Sequence, residues 1–343
     1  MKLQHTDELL RALKASGDVE SWAVIVGDHA RRGELYSENV NGDTLFDAAS
    51  MPKVLITSTL ILHAADQGLM SLDDTLDKYF SFTPEEKRKI TVRQLLTHTS
   101  GICRYVIPQA IADIGKEEVA RYIINRSLVA PPGAEYRYSC TGYVLLGFIV
   151  EQVFGMTLDQ AFEKYIKAPL GLTRSAFAIP VDASNAVNCI SRAAFGKYRV
   201  DDYIVYALKG VAGNGGSFWS ASDIERWVKA VMRKDSSLYS EKMYEAAEKD
   251  LTPHLLEGRG LGYLVVDGRY PQTGDLFAPG SFGHCGHTGA SFFLDRRVER
   301  YVIILTNATR CQNLKSDYRT DNYSFVCDMR RRLHNAIKED LEQ

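Results

Sequence analysis

The chain has 343 residues, 41 basic against 43 acidic for a net charge of −2, with 45% hydrophobic and 24% charged side chains. Those are soluble globular proportions, with length for about two domains. No basic excess is available to neutralise a phosphate backbone, and the longest apolar stretch, 143–150, falls far short of the roughly 18 residues that span a bilayer, so nucleic acid and membrane are both excluded as main partners.

Leu9, Leu10 and Leu13 share one face of a short N-terminal helix, and WAVIV at 22–26 reads as a buried strand with a partner near Leu35 and Tyr36. Over 51–67, Val54, Leu55, Ile61, Leu62 and Ala65 recur at helical spacing, with Pro52 in the first turn and Gly68 as the stop. Thr91 with Gln94, Thr157 with Gln160, and Ser222 with Glu225 each match the capping box and mark three helix starts. The second of these helices carries Leu158, Ala161, Phe162, Tyr165 and Ile166 on one stripe and ends at Pro169. After the glycine-rich 210–218, strand-like stretches at 261–266, 282–287, 290–294 and 300–306, joined by short turns, imply an antiparallel meander. Phe325, Met329, Leu333 and Ile337 then mark a C-terminal helix. The expected fold is α+β: an antiparallel sheet flanked by N- and C-terminal helices, made from 1–70 and 201–343, interrupted by a mainly helical insertion at 71–200.

Six cysteines, at positions 103, 140, 189, 285, 311 and 327, include no C-x-x-C pair and read as free thiols. The opening MKLQHTDELLRALKASGD has no apolar signal segment, so a cytoplasmic protein is expected.

Ser50 and Lys53 form S-x-x-K at a strand-to-helix junction, where a desolvated amine beside a hydroxyl can take its proton and make it a nucleophile. Taken alone, the pair reads more readily as a helix cap and a solvated charge. Tyr138, Ser139 and Cys140 precede an apolar helix starting near Thr141, and Gly286, His287, Thr288 and Gly289 fall on an expected edge-like strand where glycine allows close approach. Singly these are a packed tyrosine and a glycine-rich strand.

In this order and with these intervals the three segments resemble the serine β-lactamase and penicillin-binding protein superfamily, in its branch similar to class C β-lactamases, D-amino-acid peptidases and esterases. The likeness extends through LLTHTSG at 95–101, YSCTGYVLLGFIVE at 138–151, PLGLTRSAF at 169–177, GVAGNGGSF at 210–218 and GHTGASFFLD at 286–295. It implies a hydrolase in which Ser50 attacks a carbonyl, Lys53 shuttles the proton and Tyr138 acts as base and acid, with the oxyanion held by the amides of Ser50 and Ala290. Substrate contacts would come from Cys140, Asn214, His287, Thr288 and Gly289, in a cleft between the two domains. The implied substrate is a small ester, amide or D-amino-acid peptide, with no metal and no organic cofactor. Acyl transfer from the same intermediate, or a non-catalytic sensor that keeps the site, are the alternatives.

Two departures from the family pattern matter. Cys140 stands where Asn usually follows Tyr-x, and a thiol is the weaker hydrogen-bonding group. His287 stands where penicillin-recognising members have Lys, as in the esterase and aminopeptidase members, so carboxylate anchoring should weaken, β-lactam turnover be slow, and esters or amides without a required terminal carboxylate be better substrates. Among the rest, His284, Cys285 and His287 lack a further ligand for a zinc site. Gly213, Gly215 and Gly216 read as a turn lining the cleft, and His98 as a structural hydrogen bond beneath the site. Asp73 and Asp74 read as a solvated turn, and the run 330–332 as an exposed basic face.

Overall fold

The computed structural model describes residues 1–177, 185–187, 202–268, 272–308 and 318–343. Its main sheet has six antiparallel strands in the order β2-β1-β9-β8-β7-β6, built from β1 (Trp22–Gly27), β2 (Arg32–Tyr36), β6 (Leu264–Val265), β7 (Phe282–Cys285), β8 (Ser291–Asp295) and β9 (Arg300–Thr306). Strands β6 to β9 form the expected meander, and β9 then pairs with β1, setting Val24 opposite Ile304. A second sheet of three short strands, β3 (Leu45–Asp47), β5 (Ser217–Ser220) and β4 (Ala176–Phe177), leads directly into Ser50.

Both faces of the main sheet are covered, which explains the unbroken apolar runs of its central strands. Trp22, Val24, Val26, Phe293, Val302 and Ile304 pack against α1 (Gln4–Ala15) and α12 (Tyr318–Leu341), which also lie against one another. Met329, Leu333 and Ile337 are buried there and Phe325 is half-buried, as their spacing predicts. The alternate side chains, Ala23, Ile25, Phe282, Phe292, Leu294, Ile303 and Leu305, face the larger core.

That core is shared with the helices of the middle of the chain: α2 (Thr59–Asp66), α3 (Leu76–Tyr79), α4 (Val92–Leu96), α5 (Lys116–Asn125), α6 (Cys140–Phe154), α7 (Leu158–Phe162) and α8 (Ala168–Leu170). Helix α6 is buried along its first eleven residues, 140–150, hence its nearly uniform apolar sequence. Three further helices, α9 (Tyr203–Ala207), α10 (Ala221–Met232) and α11 (Glu241–Glu248), follow. Cys189 and Cys311 lie outside the described residues, while Cys103, Cys140, Cys285 and Cys327 are free thiols.

Several expectations are corrected. The capping boxes at Thr91 and Thr157 form, but α10 is capped by Ser220, which accepts from the Asp223 amide, because Glu225 is drawn to Arg32, Lys229 and Tyr301. Pro169 does not end its helix: it sits in the first turn of α8, and Gly171, at φ 61°, makes the stop. The helix expected over 51–67 begins as a π-helical turn, Lys53–Ser58, before settling into α2. Arg330 is buried under the sheet, donating to the Gly286 carbonyl and to Gln272 Oε1 at 2.9 Å, so only Arg331 and Arg332 belong to an exposed face.

Candidate active site

Ser50 follows β3 through a tight turn. The Asp47 carboxylate accepts from the Ala49 amide at 2.8 Å, and Ala49 sits at φ 50°, a left-handed conformation that a residue with a Cβ adopts only where its surroundings impose it. The turn leaves Ser50 half-buried and delivers Lys53 into the protein as the first residue of the π-helical turn. Lys53 is fully buried, with Nζ 3.0 Å from Ser50 Oγ and donating to the Asn214 carbonyl at 2.6 Å. It also lies near the Cys140 thiol, whose ionisation its charge favours.

Tyr138 ends an extended segment pinned on both sides by one residue. The His98 carbonyl accepts from the Arg137 amide at 2.8 Å and its Nδ1 from the Ser139 amide at 3.1 Å, while its ring lies 4.3 Å from that of Tyr138. His98 is thus the structural hydrogen bond expected of it. Ser139 then caps α6, accepting from the Gly142 amide at 2.9 Å. Lys53 Nζ lies 5.3 Å from the Tyr138 ring centre and 3.0 Å from Ser50 Oγ, so hydroxyl, amine and phenol converge. Burial pushes the phenol well above its ordinary value, outweighing the opposing effects of Ser50, Arg259 and Arg104, so Tyr138 carries its proton at neutral pH.

Asn214 is held inside the protein. Its amide nitrogen donates to Asp202 at 3.0 Å, its side chain is buried, and its backbone oxygen holds Lys53. The glycine turn around it docks on α6 with no space to spare: a Cβ on Gly213 would lie 2.1 Å from the Tyr143 carbonyl oxygen. The thiol of Cys140 is raised by burial, and its partner is Lys53.

The strand side of the site differs from the expected register by three residues. Strand β7 ends at Cys285, so His287, Thr288, Gly289 and Ala290 lie in the β7–β8 turn rather than on a strand. Thr288 is buried and donates to the Asp47 carbonyl at 3.0 Å, bracing the nucleophile turn from behind. The Ala290 carbonyl accepts from the Gly286 amide at 2.7 Å, closing the β7–β8 turn. What meets the nucleophile turn is Gly286, where a Cβ would be 2.8 Å from the Ala48 carbonyl oxygen. The side chain of β7 on the site face is His284: it stands opposite Phe292, in the larger core, while Cys285 packs on the other side. Burial first, then the charges of Arg259 and Lys53, hold His284 well below its usual value, so the ring is neutral.

Two arginines complete the surroundings, and neither is signalled by spacing. Arg259 is buried, 5.8 Å from the Tyr138 ring centre, donates to Tyr136 Oη at 2.8 Å and is paired with Glu257. Arg104 is exposed, 5.4 Å from the same ring.

A serine beside a buried lysine and a protonated tyrosine, under an antiparallel sheet with helices on both faces, defines a serine hydrolase that works through an acyl-enzyme. The profile of the Beta-lactamase family matches residues 6–321, and the chain belongs to that family. It is 27% identical over 302 residues, 77% of this chain and 69% of the other, to an Escherichia coli K12 protein with the provisional name D-alanyl-D-alanine carboxypeptidase. It is 26% identical over 365 residues, 88% of each, to the esterase EstB of Burkholderia gladioli. The solved structure of EstCE1, described as a hydrolase with promiscuous acyltransferase activity, superposes with a TM-score of 0.71 at 18% identity, covering 96% of this chain and 98% of that one. No single helix among the described residues is long and apolar enough to cross a membrane.

Proposed function

We propose that the enzyme cleaves small esters, amides or D-amino-acid peptides through a covalent ester on Ser50. The observation that carries this reading is the 3.0 Å approach of the buried Lys53 Nζ to Ser50 Oγ, with the Asn214 carbonyl fixing the amine from behind. Lys53, held by that carbonyl, shuttles the Ser50 proton as the hydroxyl attacks. Tyr138 gives its proton to the leaving group and regains one from the water that resolves the ester. The amides of Ser50 and of His287, three residues before Ala290 as the shifted register requires, receive the oxyanion, each contributing about 3 kcal/mol. Cys140, engaged by Lys53, acts as a wall rather than as a substrate donor, and the neutral His284 takes the place foreseen for His287.

Capture of the acyl group by an alcohol or amine uses the same steps and is recognised by acceptor-dependent product formation. We read 1–70 with 201–343 as a sheet lobe and 71–200 as a helical lobe, the site lying between them. The four described free thiols support a reducing, cytoplasmic setting. The test is intact-protein mass after incubation with a fluorophosphonate. One adduct per chain, mapped to Ser50 and lost in Ser50→Ala, is expected, and a folded but unmodified protein would turn the reading to a non-catalytic sensor.

A further inference from the structure

Arg104 is tethered to the site by its backbone, its carbonyl accepting from the Cys140 amide at 3.1 Å. Its guanidinium lies 5.0 Å from the Tyr105 ring centre and 5.4 Å from that of Tyr138. Cation–π contact with two rings restrains it, and its guanidinium carries a planar fork of N–H donors. Lys53 is enclosed and Arg259 is matched by Glu257, whereas Arg104 pairs with no carboxylate among the described residues. Of the groups beside it, the Tyr138 phenol and the Cys140 thiol are both raised by burial and uncharged at neutral pH.

The surface beside it is apolar. Tyr105 and Ile107 are 42% and 59% exposed, and α9, which packs against the turn Pro108–Ala110, presents Tyr203 and Tyr206 at 42% and 39%. An unmatched guanidinium bordered by exposed aromatic and aliphatic side chains is complementary to a small amphipathic anion, and its planar fork matches a carboxylate. The strand cannot supply that charge, because His284 is neutral.

We infer that Arg104 is the carboxylate anchor of this enzyme, and that its substrate is a small ester or amide with one carboxylate and an apolar body resting on Tyr105, Ile107, Tyr203 and Tyr206. This rests on the Ser50 hydrolase reading. The charge missing from the strand is thereby supplied by the loop in front of α6.

The carboxylate belongs to either the acyl or the leaving portion, and two pairs of probes separate these. For the acyl portion, 4-nitrophenyl hydrogen glutarate is compared with its neutral carboxamide. For the leaving portion, 4-acetoxybenzoate is compared with 4-acetoxybenzamide. The native enzyme should prefer the anion in one pair by about tenfold or more in kcat/KM, the scale of a charge-assisted hydrogen bond. Arg104→Gln should erase that preference through KM, leaving the neutral probe within about twofold, and Arg104→Lys should restore part of it. No preference in either pair, a preference that survives Arg104→Gln, or an equal loss on both members would each overturn the proposal. Fluorophosphonate labelling of Ser50 is measured alongside: labelling without an anion preference defeats the anchor alone, whereas absent labelling defeats the hydrolase reading beneath it.

Discussion

Replacing Gly213 by alanine probes how the amine beside the nucleophile is held. The new Cβ would stand 2.1 Å from the Tyr143 carbonyl oxygen and 2.8 Å from Gly147 Cα, about 1.3 Å inside ordinary contact at 3.4 Å. Both obstacles are backbone of the buried helix α6, so the turn must retreat rather than the helix. Retreat by an ångström breaks two bonds at once, from Lys53 Nζ to the Asn214 carbonyl at 2.6 Å and from Thr57 Oγ1 to the Gly213 carbonyl at 2.7 Å. Overpacking of this kind costs about 1 to 3 kcal/mol of stability, and a displacement of about 1 Å in catalytic geometry costs about a hundredfold in rate. Hydrolysis of 4-nitrophenyl acetate and the thermal midpoint should therefore fall together. Gly68→Ala is the control: at φ 70° with open space around it, it should lower stability by about 1 kcal/mol and leave kcat unchanged. Native kcat in Gly213→Ala, or the same loss in Gly68→Ala, would refute the clamp.

Two further outcomes concern stability. His98, His284 and His334 are each pushed below their usual value by burial, His334 to about 4, so the unfolded chain binds more protons between about pH 4 and 6.5. Urea midpoints should fall as pH drops through that window, His334 alone contributing up to about 3 kcal/mol near its lower end, and a flat profile would contradict the assignment. Burial raises the Glu225 carboxyl, but hydrogen bonds from Arg32, Lys229 and Tyr301 outweigh it and bring it down to about 2. Its stabilisation is present above about pH 4.5 and lost as pH falls toward 2. Glu225→Gln should cost about 1 to 3 kcal/mol at pH 7 by chemical denaturation, an unchanged midpoint being the contrary result.

Much of the fold was legible because its signals are local: alternation in the meander, the spacing of Met329, Leu333 and Ile337, and two capping boxes all act within a few residues. Ser50 with Lys53, and Tyr138 before its helix, were legible for the same reason. The strand register was not. Gly283-His284-Cys285-Gly286 and Gly286-His287-Thr288-Gly289 repeat one pattern three residues apart, and only pairing with β8 decides which histidine faces the core. Arg330 escaped because three consecutive arginines look like one charged face, although successive helical residues turn by about 100° and the first points under the sheet. Arg104 and Arg259 reach Tyr138 from loops whose sequence carries no periodicity, and tertiary packing alone brings them there.

The pairing of β1 with β9, and of α1 with α12, has a consequence for how the protein is made. A ribosome delivers Ser50 and Lys53 early, whereas the strand that faces them and the strand that locks the first one in place emerge only after most of the chain. The helices of the middle segment share one core with the sheet, and the sheet must wait for its long-range closure, the slow step in chains of this topology. Ser50, Lys53 and the end of β7 are therefore brought together only when the sheet closes.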